Sequence, residues 1–110
     1  MIAATPDPPY IAVIFTSVRR DVADDGYREV ALAMEALVAE QPGYLGHESA
    51  RDELGITVSY WRSEADARAW KDVAAHASAR QRGREDFYAD YRVRVAHVVR
   101  DDGPGGRTLT

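Results

Sequence analysis

The segment Tyr10-Ile-Ala-Val-Ile-Phe-Thr-Ser17 limits the possible folds of this chain more than any other stretch. It is apolar on both alternating sets, Ile11, Val13 and Phe15 on one and Tyr10, Ala12 and Ile14 on the other. Side chains of a strand point alternately to its two faces, so both faces of this strand must be covered. A chain of 110 residues is one domain by length. A monomer of that size buries roughly two-thirds of the surface its unfolded chain exposes, so one core is feasible but a large internal cavity is costly. Sharing a core or a cavity between subunits eases that constraint.

The remaining elements follow from periodicity and punctuation. Three prolines among residues 1–9 predict a flexible leader, because proline removes backbone donors and resists helix. Asp24 or Asp25 is placed to cap a helix. Its apolar face is Tyr27, Val30, Ala31, Met34, Leu37 and Val38, and Gln41-Pro-Gly43 stops it. Tyr44 to Arg51 and Ile56 to Trp61 read as antiparallel strands around the turn Asp52-Glu-Leu-Gly55. Gly46 inside the first predicts a bulge or a close approach by another group. Ser63-Glu-Ala-Asp66 has the form of a capping box. The helix it opens carries Trp70, Val73, Ala74 and Ala77 on one face and ends near Gly83. Tyr91 to Arg100 alternates as a last strand, and residues 101–110, rich in glycine, predict a disordered tail.

The order is β-α-β-β-α-β, a ferredoxin-like α+β arrangement. Right-handed crossovers give a four-stranded antiparallel sheet with both helices on one face. The other face of the first strand then needs a second sheet, which a second copy of the chain supplies, so a homodimer is expected. The formal net charge of −4 disfavours a general nucleic-acid role. The longest apolar run is too short to span a bilayer, which argues against a membrane protein and makes the cytoplasm the default location. The absence of cysteine removes thiolate catalysis and cysteine-zinc sites, and there is no glycine-rich phosphate loop.

Several segments carry a resemblance: Tyr10-Ile-Ala-Val-Ile-Phe-Thr-Ser17, Gln41-Pro-Gly-Tyr-Leu-Gly46, Val58-Ser-Tyr-Trp-Arg-Ser63 and Ala69-Trp-Lys71. His76 and Gly83-Arg-Glu-Asp-Phe-Tyr-Ala-Asp-Tyr91 add to them. In this order, over about residues 10–100, the chain resembles the antibiotic biosynthesis monooxygenase-like family. The resemblance implies a dimeric α+β barrel. It points to oxygen insertion into a small, planar aromatic or quinone-like molecule without metal, flavin or nicotinamide, the substrate itself supplying electrons to oxygen. Similar sheets also host haem-degrading oxygenases, isomerases and small proteins without known chemistry, so a non-catalytic binding or stress-related module is the alternative. The haem-degrading branch is similar in having a tryptophan on the second helix, which Trp70 matches. It also uses an asparagine and a histidine where this chain has Ser17 and Arg80, and an arginine does not ligate haem iron.

The candidate site gathers at the junction of the third strand and the second helix. Trp61 and Trp70 put two indoles there, suited to a flat apolar ligand. Trp70 is read as positioning a substrate ring, or as a core indole. His76 is read as an acceptor of a phenolic proton. Six helical steps nevertheless place it about 120° from Trp70, on the stripe Asp72, His76, Arg80 that is ordinary for a solvated face. Tyr60, Trp61, Tyr88 and Tyr91 are further pocket aromatics, any of which can equally be core or interface. Phe15 and Ser17 share a face of the first strand; Ser17 either bonds a substrate oxygen or faces water at the strand end. His47 and His97 lie on strands not expected to pair with each other, with no second ligand at a recognisable spacing, so no metal is expected. The cluster Arg80-Gln-Arg-Gly-Arg84 reads as a solvated helix end, and Arg92 and Arg94 as residues facing away from the helices towards a partner subunit.

Overall fold

The doubly apolar first segment forms β1 (Tyr10–Arg19), and its tolerance for cover on both faces suits the central place it takes. The computed structural model describes residues 1–20, 26–81 and 87–104, with backbone alone at 78–81. The other elements are α1 (Tyr27–Val38), β2 (Tyr44–Arg51), β3 (Gly55–Trp61), α2 (Glu64–Gln81) and β4 (Tyr88–Val98). The sheet order is β2-β3-β1-β4 with every pairing antiparallel. This is the ferredoxin-like topology that the element order predicts. The last strand begins three residues earlier than alternation alone suggests, because a bulge resets its phase at Ala89.

Both helices lie over the sheet face that carries Ile11, Val13 and Phe15. The core cluster is Ile11, Val38, Trp61 and Ala67, with Val13, Tyr44 and Trp70 packed against it. It sits at the end of the sheet where β1 begins and β3 ends. Gly26 in the left-handed region precedes α1 without a side-chain cap, and Asp24 and Asp25 lie outside the described residues. Past the other end, Gln41 Nε2 donates to the Leu37 carbonyl at 3.0 Å. The start of α2 has the predicted cap: the Asp66 amide donates to Ser63 Oγ at 3.1 Å, and that hydroxyl donates to the Asp66 carboxylate at 3.0 Å. Gly83 and residues 82–84 of the basic cluster lie outside the described residues.

Two bulges interrupt the ladders. In β2 the register shifts between Tyr44, opposite Trp61, and Gly46, opposite Tyr60. Gly46 meets both expectations for it, since it sits at the bulge with φ of 149° and the Ala3 side chain lies against it. In β4 the shift falls between Asp90, opposite Val18, and Tyr88, opposite Arg19.

The helix-free face is covered in part by residues before β1. The Ala3 amide donates to Glu48 Oε2 at 2.8 Å and the Thr5 hydroxyl to Tyr10 Oη at 3.0 Å. The Tyr10 hydroxyl in turn donates to Asp101 at 2.5 Å. Further along the same face Val18 and Ile56 remain 40% and 41% exposed. Register places Arg92 and Arg94 on this face, opposite Thr16 and Ile14 and away from the helices, as expected. Among the described residues, no helix is long and apolar enough to cross a membrane.

Candidate active site

A cavity of about 750 Å³ lies between the two helices and the sheet. Val13 and Phe15 of β1, Thr57 and Ser59 of β3, and Val93 and Val95 of β4 form its sheet wall. Tyr27, Met34 and Val38 from α1 and Ala67, Trp70 and Ala74 from α2 line it from the helix side. Strand alternation at period two and helix stripes at three to four residues converge here, because both apolar faces look into the same space.

The two indoles take different parts. Trp61 is fully buried and donates from Nε1 to Ser59 Oγ at 2.8 Å, so its polar atom is satisfied inside the core. Trp70 stacks on it with ring centroids 6.1 Å apart and planes 22° from parallel. Trp70 alone of the pair lines the cavity. Trp61 is thereby the platform, and Trp70 the surface a ligand would meet.

The far end is an aromatic cluster. Phe15 packs edge-on against Tyr88 at 5.2 Å and tilted against Tyr91 at 5.7 Å. Tyr27 meets Phe87 at 5.6 Å and Tyr88 at 5.8 Å, both edge-on. Tyr88 donates to the Tyr27 hydroxyl at 3.4 Å; burial, then this hydrogen bond, pushes the Tyr88 phenol up and keeps it protonated. The Arg19 guanidinium lies 3.6 Å from the centroid of the Tyr27 ring and donates to the Phe87 carbonyl at 3.2 Å. Tyr88 and Phe15 line the cavity, while Tyr91 stands behind Phe15 and is 39% exposed.

The other expected site residues lie elsewhere. Ser17 is buried, but Arg51 donates to both its hydroxyl and its carbonyl, the latter at 3.3 Å, and it does not line the cavity. Tyr60 projects from the helix-free face, where it packs against Tyr10 at 5.7 Å and donates to Glu48 Oε1 at 2.8 Å. Burial first, then that bond, pushes its phenol up to about 12. His76 is exposed and lines a separate groove with Leu37, Asp72, Val73 and Ala77, as the turn of α2 requires. His97 is exposed at the edge of the sheet, its Nε2 2.9 Å from Glu64.

A profile of the antibiotic biosynthesis monooxygenase family matches residues 9–82, well over half of the chain. The chain belongs to that family. Among curated proteins it is 48% identical over 101 residues to the uncharacterized protein YqjZ of Bacillus subtilis (strain 168), covering 90% of this chain and 88% of that one. It is 28% identical over 92 residues to a jasmonate monooxygenase of Pyricularia oryzae, covering 80% of this chain and 43% of that longer protein. Of solved structures, SnoaB from Streptomyces nogalater, a cofactor-independent oxygenase, aligns with a TM-score of 0.68 at 14% identity. That match covers 86% of this chain and 97% of SnoaB. A dimeric ferredoxin-like protein from Thermobifida fusca aligns at 0.65 with 18% identity, covering 89% of this chain and all of the other. At such identities the structural likeness speaks for the fold alone.

This family member carries a polar corner in the cavity that sequence reasoning missed. His47 lines the wall, with Nδ1 2.5 Å from Tyr44 Oη and Nε2 3.3 Å from Glu35 Oε1. Tyr27 and Glu35 also line the cavity, where helical periodicity marks Tyr27 only as part of an apolar stripe. Gly46 was the available signal, since a bulge there changes which side chains of β2 share a face.

Proposed function

We propose that this protein is a monooxygenase that oxidises a planar phenolic or hydroquinone-like aromatic in the cavity beside Trp70, without metal, flavin or nicotinamide. The observation that carries this reading is the cavity of about 750 Å³ with one indole in its wall and a cluster of aromatic rings at the opposite end. That volume lies within the range of about 300–1,000 Å³ usual for small-molecule sites, and an aromatic, largely apolar wall suits a flat ring system. Family membership and the relative described as a monooxygenase support oxygen chemistry. A cofactor-independent oxygenase shares this fold.

For an anthrone the atoms balance without any other reagent. The substrate loses a proton, and its anion passes one electron to oxygen. The resulting radical pair joins through a new C–O bond, and the hydroperoxide formed loses water. Two hydrogens at carbon are replaced by one oxygen atom, while the second oxygen leaves as water. The protein excludes solvent and orients the ring, with Trp70, Phe15 and Tyr88 as its walls.

The proposal includes a homodimer that closes the helix-free face, where Val18 and Ile56 are exposed. The Thermobifida fusca protein that shares the fold is dimeric. Oxygen uptake by the purified protein across a panel of hydroquinones and anthrones tests the activity. Wild type should consume one oxygen per substrate oxidised, and Trp70→Ala should lose about tenfold or more of the rate. Quenching of tryptophan fluorescence without oxygen uptake would make the protein a binding module instead.

A further inference from the structure

We propose that His47, held between Tyr44 and Glu35, is the group that takes the phenolic proton of the bound substrate. This rests on the reading of the cavity as a site for a phenolic aromatic. The bulge in β2 creates the arrangement: Tyr44 and His47 stand opposite Trp61 and Ser59, two residues on the helix face of β3, so both project towards the helices. Tyr44 packs edge-on against buried Trp61 at 5.9 Å, which places its hydroxyl 2.5 Å from His47 Nδ1. From α1, Glu35 Oε1 approaches Nε2 to 3.3 Å. Among the described residues, His47 is the one histidine in the cavity wall.

The step needs no oxidant. The tautomer that can act as base carries Nδ1–H towards Tyr44 Oη and the lone pair on Nε2. The O–H bond of the phenol, or of the anthranol tautomer of an anthrone, breaks; its proton moves to Nε2, and the electron pair stays on the substrate as its delocalised anion. The imidazolium that forms has an acceptor on one side and a carboxylate on the other. Burial, then the nearby Glu35, pushes the Tyr44 phenol up, so Tyr44 stays neutral and does not compete for the charge. Tyr44 and Glu35 are positioning residues here, and His47 is the catalytic one. The remaining charged side chains along the cavity are Glu64, Arg68, Lys71 and Asp72, all on α2.

The test is an anaerobic titration of the full chain with 1,8-dihydroxyanthrone, following tryptophan quenching for binding and the long-wavelength band of the anion for deprotonation. Wild type should quench and develop the band. His47→Gln should quench equally, with the band reduced about tenfold or more. Glu35→Gln, an exposed change that keeps the fold, should reduce the band by a smaller factor and so tests the arrangement even if His47→Gln does not fold. A full band in His47→Gln, a wild type that quenches without a band, or a wild type that does not quench would each overturn the proposal. Since oxygen is absent, a band that depends on His47 stands even if the aerobic assay shows no turnover, which separates this inference from the monooxygenase reading.

Discussion

Two tyrosines and two tryptophans show how little a residue's type says about its work. Trp61 and Trp70 stack on each other, yet one is wholly core and the other faces the cavity. Tyr88 and Tyr60 both keep their protons tightly, but on opposite faces of the sheet. Tyr60 carries a consequence for stability. Its phenol is pushed up from 10.0 to about 12 by burial and by its bond to Glu48. Below pH 10 both the folded and unfolded forms are protonated, and the contribution is fully present. Between about 10 and about 12 the unfolded chain ionises first, so stability falls as pH rises and the contribution is gone above that window. Urea midpoints measured from pH 8 to 12 should therefore drop less steeply in Tyr60→Phe than in wild type. Equal slopes would remove Tyr60 from the account. At neutral pH the substitution should be mild, because Glu48 keeps its bond from the Ala3 amide.

At the scale of elements, the turn before β2 and the start of α2 form one joint. Gly43 has φ of 80°, its carbonyl accepts the Arg62 amide at 2.9 Å, and any Cβ on it would collide with the Asp66 side chain. Asp66 is also the partner of Ser63 in the cap, so the turn leaves room for the helix start that aims Trp70. Gly43→Ala should cost about 1–3 kcal/mol from the left-handed backbone, with the collision displacing the cap as well. Chemical denaturation measures the loss, and an unchanged midpoint would mean that the turn relaxes freely. The bulges do comparable work on the strands. Tyr44 and His47 are three residues apart, as are Tyr88 and Tyr91, and in a regular strand such pairs point to opposite faces. One extra residue in each strand brings both members to the helix side.

For the whole molecule the open question of cover on β1 has two answers. Helices close one face, and residues 3–5 close one end of the other, leaving apolar surface around Val18 and Ile56. Sedimentation equilibrium should give about twice the 12.2 kDa of one chain. Ile56→Glu should shift that towards the monomer while leaving the subunit folded, since Ile56 is 41% exposed in the single chain. A monomeric wild type would leave that face without the proposed cover. Element order, the helix-side stripe of α1 and the Ser63 cap were all legible from periodicity and local chemistry. Those features depend on residues within one turn of helix or a few positions of strand, where spacing alone sets direction. The company of His47, Tyr44 and Glu35, the removal of Ser17 by Arg51, and the division of labour between the indoles were not legible. Each depends on register between distant segments, and a single inserted residue in a strand reverses every facing beyond it, which only the folded sheet decides.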